Sequence, residues 1–116
     1  MGKALLAFMD KSLRESILNQ IELNARTENT ITDMNRLKDE LETIKRNGYA
    51  IDDIENESGV RCIGTVINDA YGQAVCALSI SGPAFRLNLE NLKDLAAPLI
   101  TAANRISQLY EHQAMN

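Results

Sequence analysis

The chain has 116 residues, a formal net charge of -4 and 45% hydrophobic residues, yet only 4% aromatics and no tryptophan. A chain of this length buries roughly 65% of its unfolded surface, enough for one aliphatic core and no second domain. The acidic balance argues against a nucleic-acid-binding face on this piece, because such a face must be basic. No apolar run approaches the roughly 20 residues of a membrane span. The short stretch from Lys3 to Met9 lacks the flanks of a signal peptide, so the expected location is the cytoplasm. The two cysteines, Cys62 and Cys76, are then expected to be reduced thiols. No His/Cys cluster suggests a metal, and the single histidine, His112, falls near the C-terminus.

In chain order, Lys3 to Met9 predicts a short helix opened by Gly2. Asp10 is placed to cap a second helix carrying Leu13, Ile17, Leu18 and Ile21 as its apolar stripe. A polar connection runs from Leu23 to Ile31, after which Thr32 is expected to cap a third helix. Met34, Leu37, Leu41 and Ile44 recur there at three- and four-residue steps, and Asn47-Gly48 closes it with a residue that tolerates a left-handed turn.

Strands are predicted at Tyr49–Ile54, Val60–Ile67 and Ala74–Ser81. The turn chemistry of Asn68 to Gly72 makes the last two an antiparallel hairpin, and Gly82-Pro83 is expected to end it. Asn88 is placed to cap a long final helix with Leu92, Leu95, Leu99, Ala102, Ala103, Ile106 and Leu109 buried, kinked by Pro98. The inventory predicts an α+β domain: an antiparallel sheet of about three strands with helices before and after it.

Small polar residues stand on these strands where apolar ones are expected. Ser79 and Ser81 are two apart and share a face. Cys62 lies on the partner strand and Asp52 on the segment before it, so the four can converge on a polar pocket. Cys76 falls on the opposite face from Ser79 and is assigned to the core. Asp53, Glu55 and Glu57 form an acidic group that reads as a solvated loop rather than a cation site, and Lys3 reads as a surface lysine.

Five segments together resemble the C-terminal effector-binding domain of IclR-type bacterial transcriptional regulators. They are G-K-A-L-L-A (Gly2 to Ala7), R-N-G-Y-A-I-D-D-x-E (Arg46 to Glu55), G-V-R-C-I-G (Gly59 to Gly64), A-L-S-I-S-G-P (Ala77 to Pro83) and the helix from Leu95 to Ser107. The resemblance covers nearly the whole chain. It implies a GAF-like fold, a six-stranded antiparallel sheet flanked by helices, fused behind a winged helix-turn-helix. It further implies that residues 1–116 are such a domain lacking its first helix and strands, so that DNA is contacted only through a domain absent from this chain. The implied effector site comprises Gly2, Asp52, Val60, Cys62, Ser79 and Ser81, with backbone amides near the Gly2-Lys3 turn. Hydroxyls and free N–H groups suit a small carboxylate effector, an organic or sugar acid.

The function so expected is a metabolite sensor, without cofactor, metal or membrane partner, acting as a homodimer or homotetramer. Two rivals differ in class. An oligomerisation module would need no ligand. A cysteine-dependent enzyme would need a base beside Cys62 to form its thiolate, and His112 is remote in sequence.

Overall fold

The computed structural model describes residues 1–115, with side-chain surroundings through Tyr110. The chain runs α1 (Gly2–Phe8), α2 (Lys11–Leu18), α3 (Met34–Asn47), β1 (Ala50–Asp53), β2 (Val60–Asn68), β3 (Ala74–Pro83), α4 (Leu89–Asp94) and α5 (Ala96–Met115). The three strands form one antiparallel sheet in the order β1-β2-β3, the α+β arrangement expected from the sequence.

Strand alternation divides the core in two. On one face, Ala50 and Val66 meet Ala4 and Ala7 of α1 and Leu37, Leu41 and Ile44 of α3. On the other, Ile63 meets Leu92 of α4 and Ala96 and Leu99 of α5, flanked by Ile51 and Leu78. Leu41 and Ile44 are each 1% exposed and Ile63 is fully buried. Burial of side chains of this size contributes about 1.5–3 kcal/mol apiece.

Local chemistry sets where the elements stop. The α2 cap is Asp10, whose carboxylate accepts the Leu13 N–H. The α3 cap is Asp33 rather than Thr32, because it is the Asp33 carboxylate that accepts the Asn35 N–H at 3.1 Å. At the other end of α3, Gly48 adopts φ 86°, and its carbonyl accepts the hydroxyl of buried Thr65 at 2.7 Å. That bond ties the end of the helix to β2.

Further expectations are corrected by the structure. Strand β3 continues through Gly82 to Pro83, which pairs with Val60 at the strand's end, where the missing proline N–H costs little. A Cβ at 82 would lie 2.6 Å from Leu87 Cδ1, so the Leu87 side chain, on the segment folding back beneath it, would have to give way. The final helix is two helices: Asn88 caps α4, which ends at Asp94 with Leu95 as its C-cap, and α5 starts at Ala96. Pro98 then sits in the first turn of α5, where its absent N–H breaks no helical bond. Along α5 the buried line is Ala96, Leu99, Ala103 and Ser107, whereas Ala102, Ile106 and Leu109 are exposed. In α2, Leu18 is buried as expected, whereas Leu13 is exposed and Ile21 lies beyond the helix, also exposed; Arg14 is the other buried residue of the helix.

Candidate effector site

The strand register lines up the polar residues. Asp52 on β1 stands opposite Cys62 on β2, and Cys62 stands opposite Ser81 on β3. The three form one row across the sheet, with Ser79 one pleat away, opposite Gly64. Gly64 is where α1 comes down on the sheet: a Cβ there would lie 2.6 Å from Met1 Cγ. Only the bare backbone allows the start of α1 to sit this close.

Between this sheet face, the start of α1 and the connection of residues 21–31 lies an open cavity of about 650 Å³. That volume falls within the range of small-molecule sites. Gly2, Asp52, Val60, Cys62, Ser79 and Ser81 all line it, and Leu6, Leu23 and Leu37 give it apolar surface. Ser79 and Ser81 are exposed, because β3 is the outer strand and opens the cavity to solvent on that side.

The Asp52 carboxylate is fixed by the Glu55 N–H, which donates to its Oδ1 at 2.7 Å. Cys62 is half-buried. Burial pushes its thiol above the ordinary value, a hydrogen bond from Ser81 opposes that rise, and the Asp52 charge adds to it. The thiol is therefore protonated at neutral pH, which suits a neutral lining group and not a nucleophile. The side chain of His112, the only candidate base, lies outside the described residues.

Three side chains sit differently from the sequence expectation. Lys3 is not a surface lysine: its ammonium donates to the Ile51 carbonyl at 2.6 Å and to both Glu55 oxygens at 2.8 and 3.0 Å. Cys76 is exposed rather than core, since β3 has no neighbour beyond it among the described residues. The acidic group is not simply solvated either. Asp53 pairs with Arg61 at 2.8 Å on the far face of the sheet, Glu55 pairs with Lys3, and exposed Glu57 stands at the cavity rim. Among the described residues, no group of His, Cys, Asp or Glu is arranged to hold a metal ion.

The polar connection before α3 also builds the site, which sequence reasoning missed. Thr27 donates to the Ile54 carbonyl, Thr30 to the Glu55 carbonyl at 2.5 Å, and Asn29 to the Asp53 carbonyl at 2.8 Å. These bonds stitch residues 27–30 to the β1–β2 turn, where Ile54 is held at φ 58°. The abundance of Thr and Asn there was the available signal, but bonds to a distant backbone leave no periodicity.

The chain is thus an α+β unit with a three-stranded antiparallel sheet, helices on both faces and a polar cavity against one of them. Residues 1–108 match the family described as bacterial transcriptional regulator IclR C-terminal, and the chain belongs to that family. It is 40% identical over 106 residues to the HTH-type transcriptional regulator KdgR of Escherichia coli, covering 91% of this chain and 40% of KdgR. The IclR protein of Thermotoga maritima superposes with a TM-score of 0.90 at 39% identity, over 95% of this chain and 44% of that one. The inducer-binding domain of PobR from Acinetobacter, solved as a double mutant with 3-hydroxybenzoic acid, superposes with a TM-score of 0.84 at 28% identity, over 93% of this chain and 62% of that one. The chain thus spans about 40% of the length of the curated relatives it matches. Its relatives are named as transcriptional regulators, not enzymes. No helix among the described residues is long and apolar enough to cross a membrane.

Proposed function

We propose that this chain is the effector-sensing part of a cytoplasmic transcriptional regulator, and that it binds a small organic or sugar acid in the cavity against the sheet. The observation that carries the reading is the convergence of Asp52, Cys62, Ser79 and Ser81 with Gly2 and Val60 on one cavity. Asp52 accepts from a ligand hydroxyl, the two serine hydroxyls donate to ligand oxygens, and Val60 gives an apolar wall. The complex of PobR with a hydroxylated aromatic acid supports this ligand class. Binding shifts the equilibrium between states of the regulator that differ in affinity for DNA, which is contacted through a domain outside residues 1–116. The regulator acts as a homodimer or homotetramer.

Calorimetry on the full-length regulator with a panel of hydroxylated and simple carboxylic acids tests the reading. Saturable binding of at least one acid, weakened by Ser79→Ala and Ser81→Ala, is the expected result. Affinity unchanged in both variants shows that the serines make no ligand contact and removes them from the site.

A further inference from the structure

The cavity contains a carboxylate already bound in it. Glu55 turns inward at the end of β1 and its two oxygens accept the Lys3 ammonium at 2.8 and 3.0 Å. The Asp53 N–H donates to the same carboxylate at 2.8 Å. Both side chains are largely shielded, at 15% and 17% exposure, and both line the cavity. An ammonium and a backbone N–H aimed at two oxygens are the donors that a carboxylic acid ligand requires.

Charge on the cavity wall sharpens the point. Lys3 and Arg26 face Glu22, Asp52, Glu55 and Glu57, so an entering anion meets more negative than positive groups. Among the described residues that line the cavity, the shielded cation, Lys3, is engaged by Glu55, and Arg26 donates to Asn56. An acid can gain a full ion pair only by displacing one of these partners. The Glu55 arrangement is also held under tension. Reversing the chain between Asp53 and Glu55 puts Ile54, a β-branched residue, at φ 58°, a left-handed conformation such residues resist. It persists because Thr27 and Thr30 hold the carbonyls of Ile54 and Glu55.

We propose that Glu55 is an internal stand-in for the ligand's acid group, and that Lys3, with the Asp53 N–H, is the subsite that selects acids over neutral analogues. An acid binds by taking these donors from Glu55, which relaxes the turn at Ile54 and loosens its bonds to residues 27–30. The proposal rests on the cavity being the effector site, and it adds which residues read the acid and which contact is broken when it binds.

Gluconate and sorbitol, which share a polyol skeleton and differ in the carboxylate, separate the possibilities on the full-length regulator. Glu55→Gln is expected to tighten gluconate binding about tenfold and leave sorbitol unchanged, since an internal competitor lowers only the affinity of what it competes with. No gluconate binding by Glu55→Gln, or an equal change for both compounds, overturns the proposal. Should that variant lose its fold, hydrogen exchange on the unaltered regulator decides. Faster exchange at residues 53–57 and 27–30 with gluconate but not sorbitol supports the displacement, and unchanged exchange overturns it. Ser79→Ala and Ser81→Ala report on the cavity reading separately: unaltered gluconate affinity in those variants, beside a tightened Glu55→Gln, removes the serines and keeps the Lys3 subsite.

Discussion

Cys62 on β2 stands directly opposite Ser81 on β3, and the serine hydroxyl bonds the thiol that burial makes reluctant to ionise. Two neighbours thus act on one sulfur with opposite sign. Ser81 favours the thiolate, while the Asp52 charge on the other side disfavours it.

The chemistry of that row is testable by alkylation in a Cys76→Ser background, which removes the exposed thiol. Cys62 is expected to react slowly at neutral pH and to need a higher pH in the folded protein than in urea. Ser81→Ala should move its profile further up, and Asp52→Asn should move it down. The linkage sign follows. A thiol whose folded value lies above its unfolded one favours the fold below the unfolded value, and that contribution fades as pH rises through the folded value. Melting temperature should therefore decline across the alkaline range less steeply in Cys62→Ala than in the parent. Profiles that ignore Ser81 and Asp52 would show the row is not coupled.

The serine variants should have modest effects. Ser79 and Ser81 are exposed on the outer strand, so a ligand oxygen that loses one hydroxyl can still find water. Each Ser→Ala change is expected to cost about 0.5–1.5 kcal/mol, roughly two- to twelvefold in effector affinity, read by calorimetry. Thermal stability and operator binding of the unliganded regulator should stay as they were.

Gly64→Ala is expected to be costly for a residue so small. The added methyl meets Met1 Cγ and Cβ at 2.6 and 2.8 Å, close to the backbone of α1, so the helix start must lift from the sheet. About 1–3 kcal/mol of stability should be lost. Because the same turn walls the cavity, effector affinity should fall with it. A melt within error of the parent would mean that α1 moves freely.

Among the described residues, strand β3 has ten residues and pairs on one side only, with Val75 and Ile80 exposed. Such an edge invites pairing with further chain. Residues 1–116 alone are expected to sediment as concentration-dependent assemblies. A single monomeric species over a wide concentration range, with a cooperative melt, would show that the edge is protected by other means.

The sequence by itself determined most of the elements and one face of the sheet, but not the break between α4 and α5 or the end of β3. Leu37, Leu41 and Ile44 announced α3 by their spacing, Gly48 its end, and the alternation of Ser79 and Ser81 put both on the face of Cys62. These are local properties, set by helical and strand periods that any short window carries. Tertiary structure decided what depends on partners far along the chain. Lys3 meets Glu55 across 52 residues, Thr27 and Thr30 reach the β1–β2 turn, and Met1 rests on Gly64. It likewise left Cys76, Ile106 and Leu109 exposed, because an apolar pattern specifies which residues seek cover, whereas burial depends on a neighbouring element being there to supply it.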